Sequence, residues 1–252
     1  MLILLPPSET KRDGGAAEPI SLDALSFPSL RDARVETIRA TSELAADAEA
    51  MMRALKLGPR QAAEVDRNRR LLSSATMPAL DRYTGVLYDA LDAPSLDPAA
   101  RAFAARHVAV HSALLGLVGA GDPIPAYRLS HDSRLPGLRL KPLWREAIRD
   151  ALLAHDGLII DLRSEGYVEL GPAPVRPDSV FLRIVTIDDV GRRRALNHFN
   201  KRAKGLFTRA LLEARPELET REDLIAWSAA AGFRLEPGAE RLSSPVELEL
   251  VA

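Results

Sequence analysis

The chain has 252 residues, of which 46% are apolar, and its formal net charge is −1. That size and composition are enough to bury a large core, as one domain or as two smaller ones. The sequence contains no cysteine, which excludes disulfides, thiolate metal sites and a thiol peroxidase. No apolar run approaches the roughly 20 residues of a membrane helix, and the first one ends at Pro6, so we predict a cytoplasmic protein without a membrane partner.

The chain opens with a predicted buried strand. Residues 2 to 5 are all apolar and end at Pro6-Pro7, and the polar residues 8 to 11 follow directly. Because proline stops the strand, these polar side chains are placed at its carboxyl end. Residues 30 to 57 have the apolar spacing of one or two helices.

The pattern over residues 44 to 72 predicts two helical segments joined by a turn at Gly58-Pro59. It resembles a helix-hairpin-helix, in which turn amides and nearby basic residues hold a DNA phosphate. Gly58 and Arg60 are then candidate DNA contacts. The alternative is an ordinary helical hairpin, because the turn has one glycine and two acidic residues, Glu64 and Asp66, lie close to it.

The middle of the chain alternates between predicted helices and strands. Residues 100 to 117 read as an alanine-rich helix with a strand possible near residues 108 to 110, and residues 123 to 129 as an extended loop. A helix over residues 144 to 154 precedes a second buried strand, residues 158 to 162. A third strand, residues 180 to 187, is predicted to begin a hairpin that closes near residues 189 to 191.

Two histidines, His107 and His111, have the i, i+4 spacing that zinc sites use. No glutamate lies between them as a metalloprotease motif requires. The surrounding apolar residues favour a packed helix, so we predict no metal site and no cofactor.

Residues 191 to 215 hold the clearest charge pattern, with eight lysines or arginines against one acid, Glu213. Apolar residues recur there at helical spacing and predict one buried stripe: Leu196, Phe199, Ala203, Leu206, Phe207, Ala210 and Leu211. Lys201 and Gly205 are predicted on the opposite, polar side. Glycine weakens a helix by about 1 kcal/mol, so Gly205 predicts a close approach to the backbone beside Lys201 and Lys204. The alternative is a solvated basic face.

The last segment is predicted to contain a helix over residues 221 to 230 and an edge strand over residues 246 to 250. Strands and helices follow no strict βαβ rhythm along the whole chain. The sequence therefore predicts a mixed α/β fold of the α+β type, in which one mixed sheet is surrounded by helices.

Polar loops follow two of the predicted strands, and ligands commonly bind at the carboxyl ends of strands. If the strands at residues 2 to 5 and 158 to 162 are neighbours, their loops share one crevice. The candidate ligand-binding residues are Ser8, Glu9, Lys11, Tyr127, Arg128, Ser164, Glu165, Tyr167, Lys201, Arg202, Lys204 and Gly205. Glu9 and Glu165 are the candidates for a general acid or base.

Six short motifs, taken together, resemble the YaaA family of peroxide-stress proteins. In chain order they are residues 4 to 11 (LLPPSETK), 83 to 85 (YTG), 127 to 129 (YRL), Trp144, 161 to 167 (DLRSEGY) and 201 to 205 (KRAKG). Two places depart from the family pattern. Residues 112 to 119 lack its tyrosine-glycine pair, and Arg163 and Gly166 alter its Ala-Ser-x-Glu-Tyr motif.

The resemblance implies one mixed α/β domain over residues 1 to 252 with a positively charged cleft. It also implies protection against hydrogen peroxide by limiting free iron, and binding of duplex DNA. Lys201, Arg202 and Lys204 would line the cleft, where they would meet the loop of Ser8, Glu9 and Lys11, with Arg128, Glu165 and Tyr167 completing the site.

Three functional hypotheses remain open from the sequence. The first is a stress-response protein that binds duplex DNA through Gly58, Arg60, Lys201, Arg202 and Lys204. The second is an enzyme or binding protein for a phosphorylated or carboxylated small molecule. The third is a basic helix that docks on an acidic partner or a second subunit.

Overall fold

A mixed β-sheet runs through the structure, a computed structural model that describes residues 1–16, 18–187, 193–194, 197–239 and 244–251. These residues contain ten strands: β1 (Leu2–Leu5), β2 (Met77–Pro78), β3 (Val108–Ser112), β4 (Gly116–Gly119), β5 (Pro123–Ile124), β6 (Ile159–Asp161), β7 (Ser179–Ile187), β8 (Arg193–Arg194), β9 (Arg234–Pro237) and β10 (Val246–Val251).

The strand order of the main sheet is β4-β3-β1-β6-β7-β10-β9, and β8 pairs with the end of β7. The five inner strands run parallel, whereas β4 and β9 pair antiparallel at the two edges. The predicted class, a mixed α/β fold with one mixed sheet surrounded by helices, is confirmed. β2 and β5 form a separate antiparallel pair.

Ten α-helices accompany the strands in the described ranges: α1 (Arg31–Ala45), α2 (Ala48–Ala54), α3 (Ala63–Arg69), α4 (Ala79–Arg82), α5 (Val86–Leu91), α6 (Pro98–His107), α7 (Leu140–Leu153), α8 (Glu165–Leu170), α9 (Asn197–Ala214) and α10 (Arg221–Ala230). Their starts follow local chemistry. Asp97 accepts a hydrogen bond from Ala100 N at the start of α6, and Thr220 and Asp223 form a capping box at the start of α10.

The core is continuous across the sheet and involves residues from both ends of the chain. β1 is buried along its whole length, as the run of apolar residues predicted. Trp144 on α7 is fully buried, and its indole N–H donates a hydrogen bond to the carbonyl of Ala113 at 3.0 Å. In the part of the chain that the structure describes, no helix combines the length and apolar character needed to cross a bilayer.

The helix predicted over residues 100 to 117 ends ten residues early. α6 stops at His107 and β3 begins at the next residue, because β-branched valines at 108 and 110 favour a strand that is buried between β1 and β4. His107 and His111 therefore lie on different elements and share no helix face. His107 Nδ1 lies 2.9 Å from the carbonyl of Met1.

Two further predictions concern the ends of the sheet. β10 was predicted as an edge strand, but it pairs with β7 on one side and β9 on the other, so β9 forms the edge. The period-two alternation of these residues does predict a strand, but alternation does not reveal how many neighbours a strand has. The hairpin turn predicted near residues 189 to 191 lies outside the described residues.

Candidate functional site

The loops after β1 and β6 leave the sheet at the same edge. Leu4 is in register with Asp161, and the amide of Leu162 donates a hydrogen bond to the carbonyl of Leu4 at 2.9 Å. Since the two strands are parallel neighbours, both chains continue into one space at their carboxyl ends. A cavity of about 680 Å³ lies there, bounded by these loops, α5, β7 and α9.

The cavity brings together seven of the twelve predicted ligand-binding residues: Ser8, Glu9, Ser164, Glu165, Tyr167, Lys201 and Lys204. The two loops and α9 thus meet as the sequence predicted. Five predicted residues are not among those that line the cavity: Lys11, Tyr127, Arg128, Arg202 and Gly205.

Lys11 lies beneath the loop that follows β1. Its Nζ donates hydrogen bonds to the carbonyl oxygens of Ser8 at 2.9 Å and Glu9 at 3.4 Å, and it lies 4.0 Å from the centre of the Tyr127 ring. Burial, helped by the nearby Arg128 charge, lowers the pKa of Lys11 to about 7. Lys11 therefore stabilises the backbone of the loop at the edge of the cavity, which is called the cleft from here on.

Tyr127 belongs to a buried chain of hydroxyl groups. Its hydroxyl lies 2.8 Å from that of Tyr83 and 2.7 Å from Oγ of Ser112, which also accepts the amides of Leu114 and Leu115. Burial raises the pKa of Tyr127 to about 12. Tyr127 therefore packs against Lys11 and hydrogen-bonds to Tyr83 and Ser112.

Arg128 does not line the cavity, but it forms an ion pair with Glu9, which does. Its Nη2 donates to Oε2 of Glu9 at 2.6 Å. The backbone of Arg128 is fixed on both sides by Asn68, whose Nδ2 donates to the Arg128 carbonyl at 2.7 Å and whose Oδ1 accepts the Arg128 amide at 2.8 Å. Glu9 is thereby held by a guanidinium that is itself anchored.

A buried ion pair lies under the loop after β6. Arg163 and Asp161 are 0% and 1% exposed, with 2.6 Å between Nη2 and Oδ2. Nη1 of Arg163 also donates to the carbonyl of Gly171 at 2.9 Å and lies 2.9 Å from Nδ1 of His111. Burial and the Arg163 charge lower the pKa of His111 well below its usual value, so the imidazole is neutral and accepts this hydrogen bond.

Glu165, the second predicted acid or base, is exposed at the cleft and paired. Its Oε1 lies 3.1 Å from Nη2 of Arg183 on β7, and the same guanidinium binds Glu247 on β10 at 2.9 Å. Both candidate carboxylates of the cleft therefore carry an arginine partner, Glu9 with Arg128 and Glu165 with Arg183.

The two cleft lysines of α9 have different surroundings. Nζ of Lys204 donates to the carbonyls of Leu162 at 2.7 Å and Arg163 at 3.1 Å, and burial lowers its pKa to about 8. Lys201, one turn earlier, is exposed. Arg202 is exposed too but lies away from the cavity lining.

Gly205 lies on the buried side of α9, and its prediction as a ligand contact on the polar side is corrected by the packing. A Cβ at this position would stand 2.2 Å from the carbonyl oxygen of Leu87 and 2.8 Å from Cβ of Ala90. The close approach that the glycine predicted is real, but helix α5 makes it. Along the predicted apolar stripe Phe207 and Leu211 are buried, Leu206 is exposed, and Leu196 and the side chain of Phe199 lie outside the described residues.

The turn between α2 and α3 does not line the cavity. A short 3₁₀ turn over Pro59–Gln61 comes between the helices, and α3 is shorter than predicted. The amide of Gly58 donates to Oε1 of Gln61 at 3.0 Å, so this amide is already used within the turn. Arg60 is exposed.

Sequence reasoning missed several residues of the cavity wall. Thr10 and Thr84 join Ser8 in a hydroxyl cluster, where Thr84 Oγ1 donates to Thr10 Oγ1 at 3.0 Å. His131 and Arg183 also line the cavity. Thr84 follows Tyr83 in one of the family-like motifs, which was a usable signal, whereas nothing local to His131 or Arg183 distinguishes them from other surface residues.

Comparison with known proteins gives a match over nearly the whole chain. Residues 1–239 match the family model described as "Peroxide stress protein YaaA". The chain belongs to this family. Relatives of similar length include UPF0246 proteins of Corynebacterium glutamicum, 41% identical over 94% of this chain and 95% of the relative, and of Streptomyces coelicolor, 39% identical over 95% and 93%. One from Salinispora tropica is 32% identical over 97% and 92%.

Gly166 packs closely against His131. A Cβ at Gly166 would stand 2.4 Å from Cε1 of the His131 ring. The same ring makes an edge contact with Tyr167, with 5.1 Å between ring centres. The absence of a side chain at 166 thus leaves the space in which the His131 imidazole lies at the cavity wall.

Proposed function

We propose that this chain acts in the cytoplasm as a peroxide-stress protein that binds duplex DNA with the exposed basic residues of α9, at and beside the cleft. Lys201 and Arg202 carry the proposal. Both side chains are exposed, and neither has a hydrogen-bond or ion-pair partner among the described residues. Exposed cations without a protein partner are free to contact DNA phosphates, and phosphate contacts supply most non-specific DNA affinity.

The cleft adds positive charge to this face. Among the lining residues that the structure describes, Glu9 and Glu165 are each paired with an arginine, whereas Lys201 and Lys204 have no carboxylate partner. We therefore propose the positively charged cleft that the family resemblance implies.

Binding of this kind offers a physical link to iron-dependent damage. A protein that neutralises phosphates releases the cations condensed around them. Ferrous ions near DNA are among those cations, and displacing them moves the reaction of iron with peroxide away from the bases. We propose this displacement as the protective effect.

A salt titration of duplex binding tests the proposal. Affinity is expected to fall with salt, and Lys201→Ala to reduce the log–log slope by about 0.9, the value for one phosphate on B-DNA. Lys141→Ala is the matched control, because Lys141 is an exposed lysine on α7 outside the cavity lining. Salt-independent binding, or no binding, contradicts the proposal.

The turn at residues 58 to 60 is proposed as a secondary contact through Arg60. The Gly58 amide donates to Gln61 within the protein, so the guanidinium is the group that remains for a phosphate. Arg60→Ala is expected to lower the salt slope by the same increment as Lys201→Ala. If Arg60→Ala leaves the salt slope unchanged, this turn does not contact DNA phosphates.

The second candidate function is binding of a phosphorylated or carboxylated small molecule in the cleft, with Glu9 or Glu165 as acid or base. The cavity volume of about 680 Å³ favours it, because small-molecule sites measure about 300–1,000 Å³. A thermal-shift screen of nucleotides and acidic metabolites tests it. A hit whose shift survives Lys204→Met does not occupy this cleft.

A further inference from the structure

We infer that the cleft receives one nucleotide that leaves the base stack of the bound duplex, with its phosphate at Lys201 and Lys204 and its base near His131. The inference rests on the proposed DNA binding and specifies what enters the cavity. The proposed contacts of Lys201 and Arg202 are with phosphates at the surface of a duplex, so they do not involve the interior of the cleft.

The size of the cavity excludes the duplex itself. A sphere of the cavity's volume is about 11 Å across. The major groove of B-DNA alone is about 12 Å wide, and the whole duplex is wider still, so a duplex does not fit inside the cavity. The volume of about 680 Å³ lies in the range of sites that hold one small ligand. Proteins that place a base in a site of this size take the nucleotide out of the helix.

The charged wall of the cavity suits a single phosphate. Lys201 projects from α9 with no partner in the described residues. Lys204 has two carbonyl acceptors, which fix its amine at the end of β6. An ammonium group has three donors, so a third N–H remains beside a cavity that Lys204 itself lines.

The remaining walls suit a base and a sugar. His131, held over Gly166 and against Tyr167, gives a planar ring at the wall, and stacking on such rings stabilises unpaired bases. The hydroxyl groups of Ser8, Thr10 and Thr84 donate to and accept from one another. Because a hydroxyl can exchange these partners for polar groups of a ligand, the cluster can hydrogen-bond to a base edge or to the deoxyribose.

The test compares two 20-base-pair duplexes that differ by one central mismatch, at fixed salt. Unstacking costs less at a mismatch, so the mismatched duplex is expected to bind at least about tenfold more tightly to the native protein. His131→Ala and Lys204→Met are expected to bring that ratio towards one. Lys141→Ala is expected to leave the ratio and both affinities unchanged.

The outcomes separate this inference from the proposed function. Equal affinity for matched and mismatched duplexes, with the salt dependence of the matched one intact, overturns the inference and leaves DNA binding in place. A preference for the mismatch that survives both variants overturns it as well, because the nucleotide then lies elsewhere. The absence of any duplex binding overturns both.

Discussion

Lys11 and Lys204 show how the surroundings of a lysine in this protein change the pKa of its amine. Both amines hydrogen-bond to backbone carbonyls of the loops after β1 and β6. Desolvation by burial lowers their pKa values to about 7 for Lys11 and about 8 for Lys204. Lys201 lines the same cleft with its side chain exposed. Lys11 and Lys204 hold the loops that bound the cleft, whereas Lys201 is the more exposed lysine of its lining.

Replacing Lys11 by methionine is expected to remove a pH dependence of stability. A lysine with a lowered pKa binds fewer protons in the folded state than in the unfolded state between pH of about 7 and 10.5, so its contribution to stability rises with pH in that window. Relative to Lys11→Met, the wild type should gain up to about 1.4 kcal/mol per pH unit. Urea unfolding at pH 6 to 9.5 measures this.

Lys56→Met is the control for that series, because Lys56 is 78% exposed. Its difference from the wild type is expected to stay constant with pH. A constant difference for Lys11→Met as well would show that the folded protein leaves the pKa of Lys11 near its ordinary value.

The pair Arg163 and Asp161 is expected to be strongly coupled. Removing one partner leaves a buried charge uncompensated, so Arg163→Met and Asp161→Asn should each cost about 3–5 kcal/mol, and the double variant should cost clearly less than their sum. Equilibrium unfolding in urea gives all three values. The exposed pair Arg39 and Glu43 is the control, for which Arg39→Met should cost less than about 1 kcal/mol. Additive losses at 161 and 163 would contradict the coupling.

At the level of elements, the contact between α5 and α9 fixes the cleft wall. Gly205 lets the two helices approach so closely that a Cβ would meet the carbonyl of Leu87. Both helices line the cavity, α5 with Leu87 and Tyr88 and α9 with its lysines. A change in their spacing therefore changes the site as well as the packing.

Gly205→Ala is expected to destabilise the protein by about 1–3 kcal/mol, although alanine favours a helix by about 1 kcal/mol over glycine. The backbone carbonyl at 2.2 Å cannot move aside without shifting α5. Thermal unfolding gives the sign. Gly58→Ala is the matched control, because its backbone is extended and the nearest atom to a Cβ lies at 3.9 Å, so it should be neutral or slightly stabilising. A stabilised Gly205→Ala would mean that the helices separate freely.

At the scale of the whole molecule, the chain is organised around one sheet whose strands come from distant parts of the sequence. β1, β6 and β10 span the chain from near its start to near its end and lie in the same sheet. The buried core includes residues from Leu2 to Leu250. We therefore keep the prediction of one domain over residues 1 to 252.

Single-tryptophan variants test this prediction. Trp144 is buried on α7 against the β3–β4 side, whereas Trp227 on α10 packs with Phe207 and Phe233. If the chain unfolds as one unit, fluorescence of Trp144→Phe and Trp227→Phe should give urea midpoints that each coincide with the loss of helical circular dichroism. A midpoint that separates from the helical signal in either variant would divide the chain into two units.

The sequence by itself determined the elements whose signals are local. The apolar run of β1, the prolines after it and the helical spacing of α1 and α9 are each contained within one element and its flanking residues. It also determined the family, since the order of short motifs along a chain needs no coordinates. Seven of the residues it proposed for the cleft line the cavity. Five of them follow β1 or β6, and polar loops at the carboxyl ends of parallel neighbouring strands meet.

Only the tertiary structure decided which charges remain available. The pairing of Glu9 with Arg128 and of Glu165 with Arg183 joins residues 119 and 18 positions apart. The tertiary structure also decided that Gly205 packs against α5 and that His131 lies at the cavity wall. Desolvation and ion pairing depend on neighbours in space, which periodicity along one helix or strand does not contain.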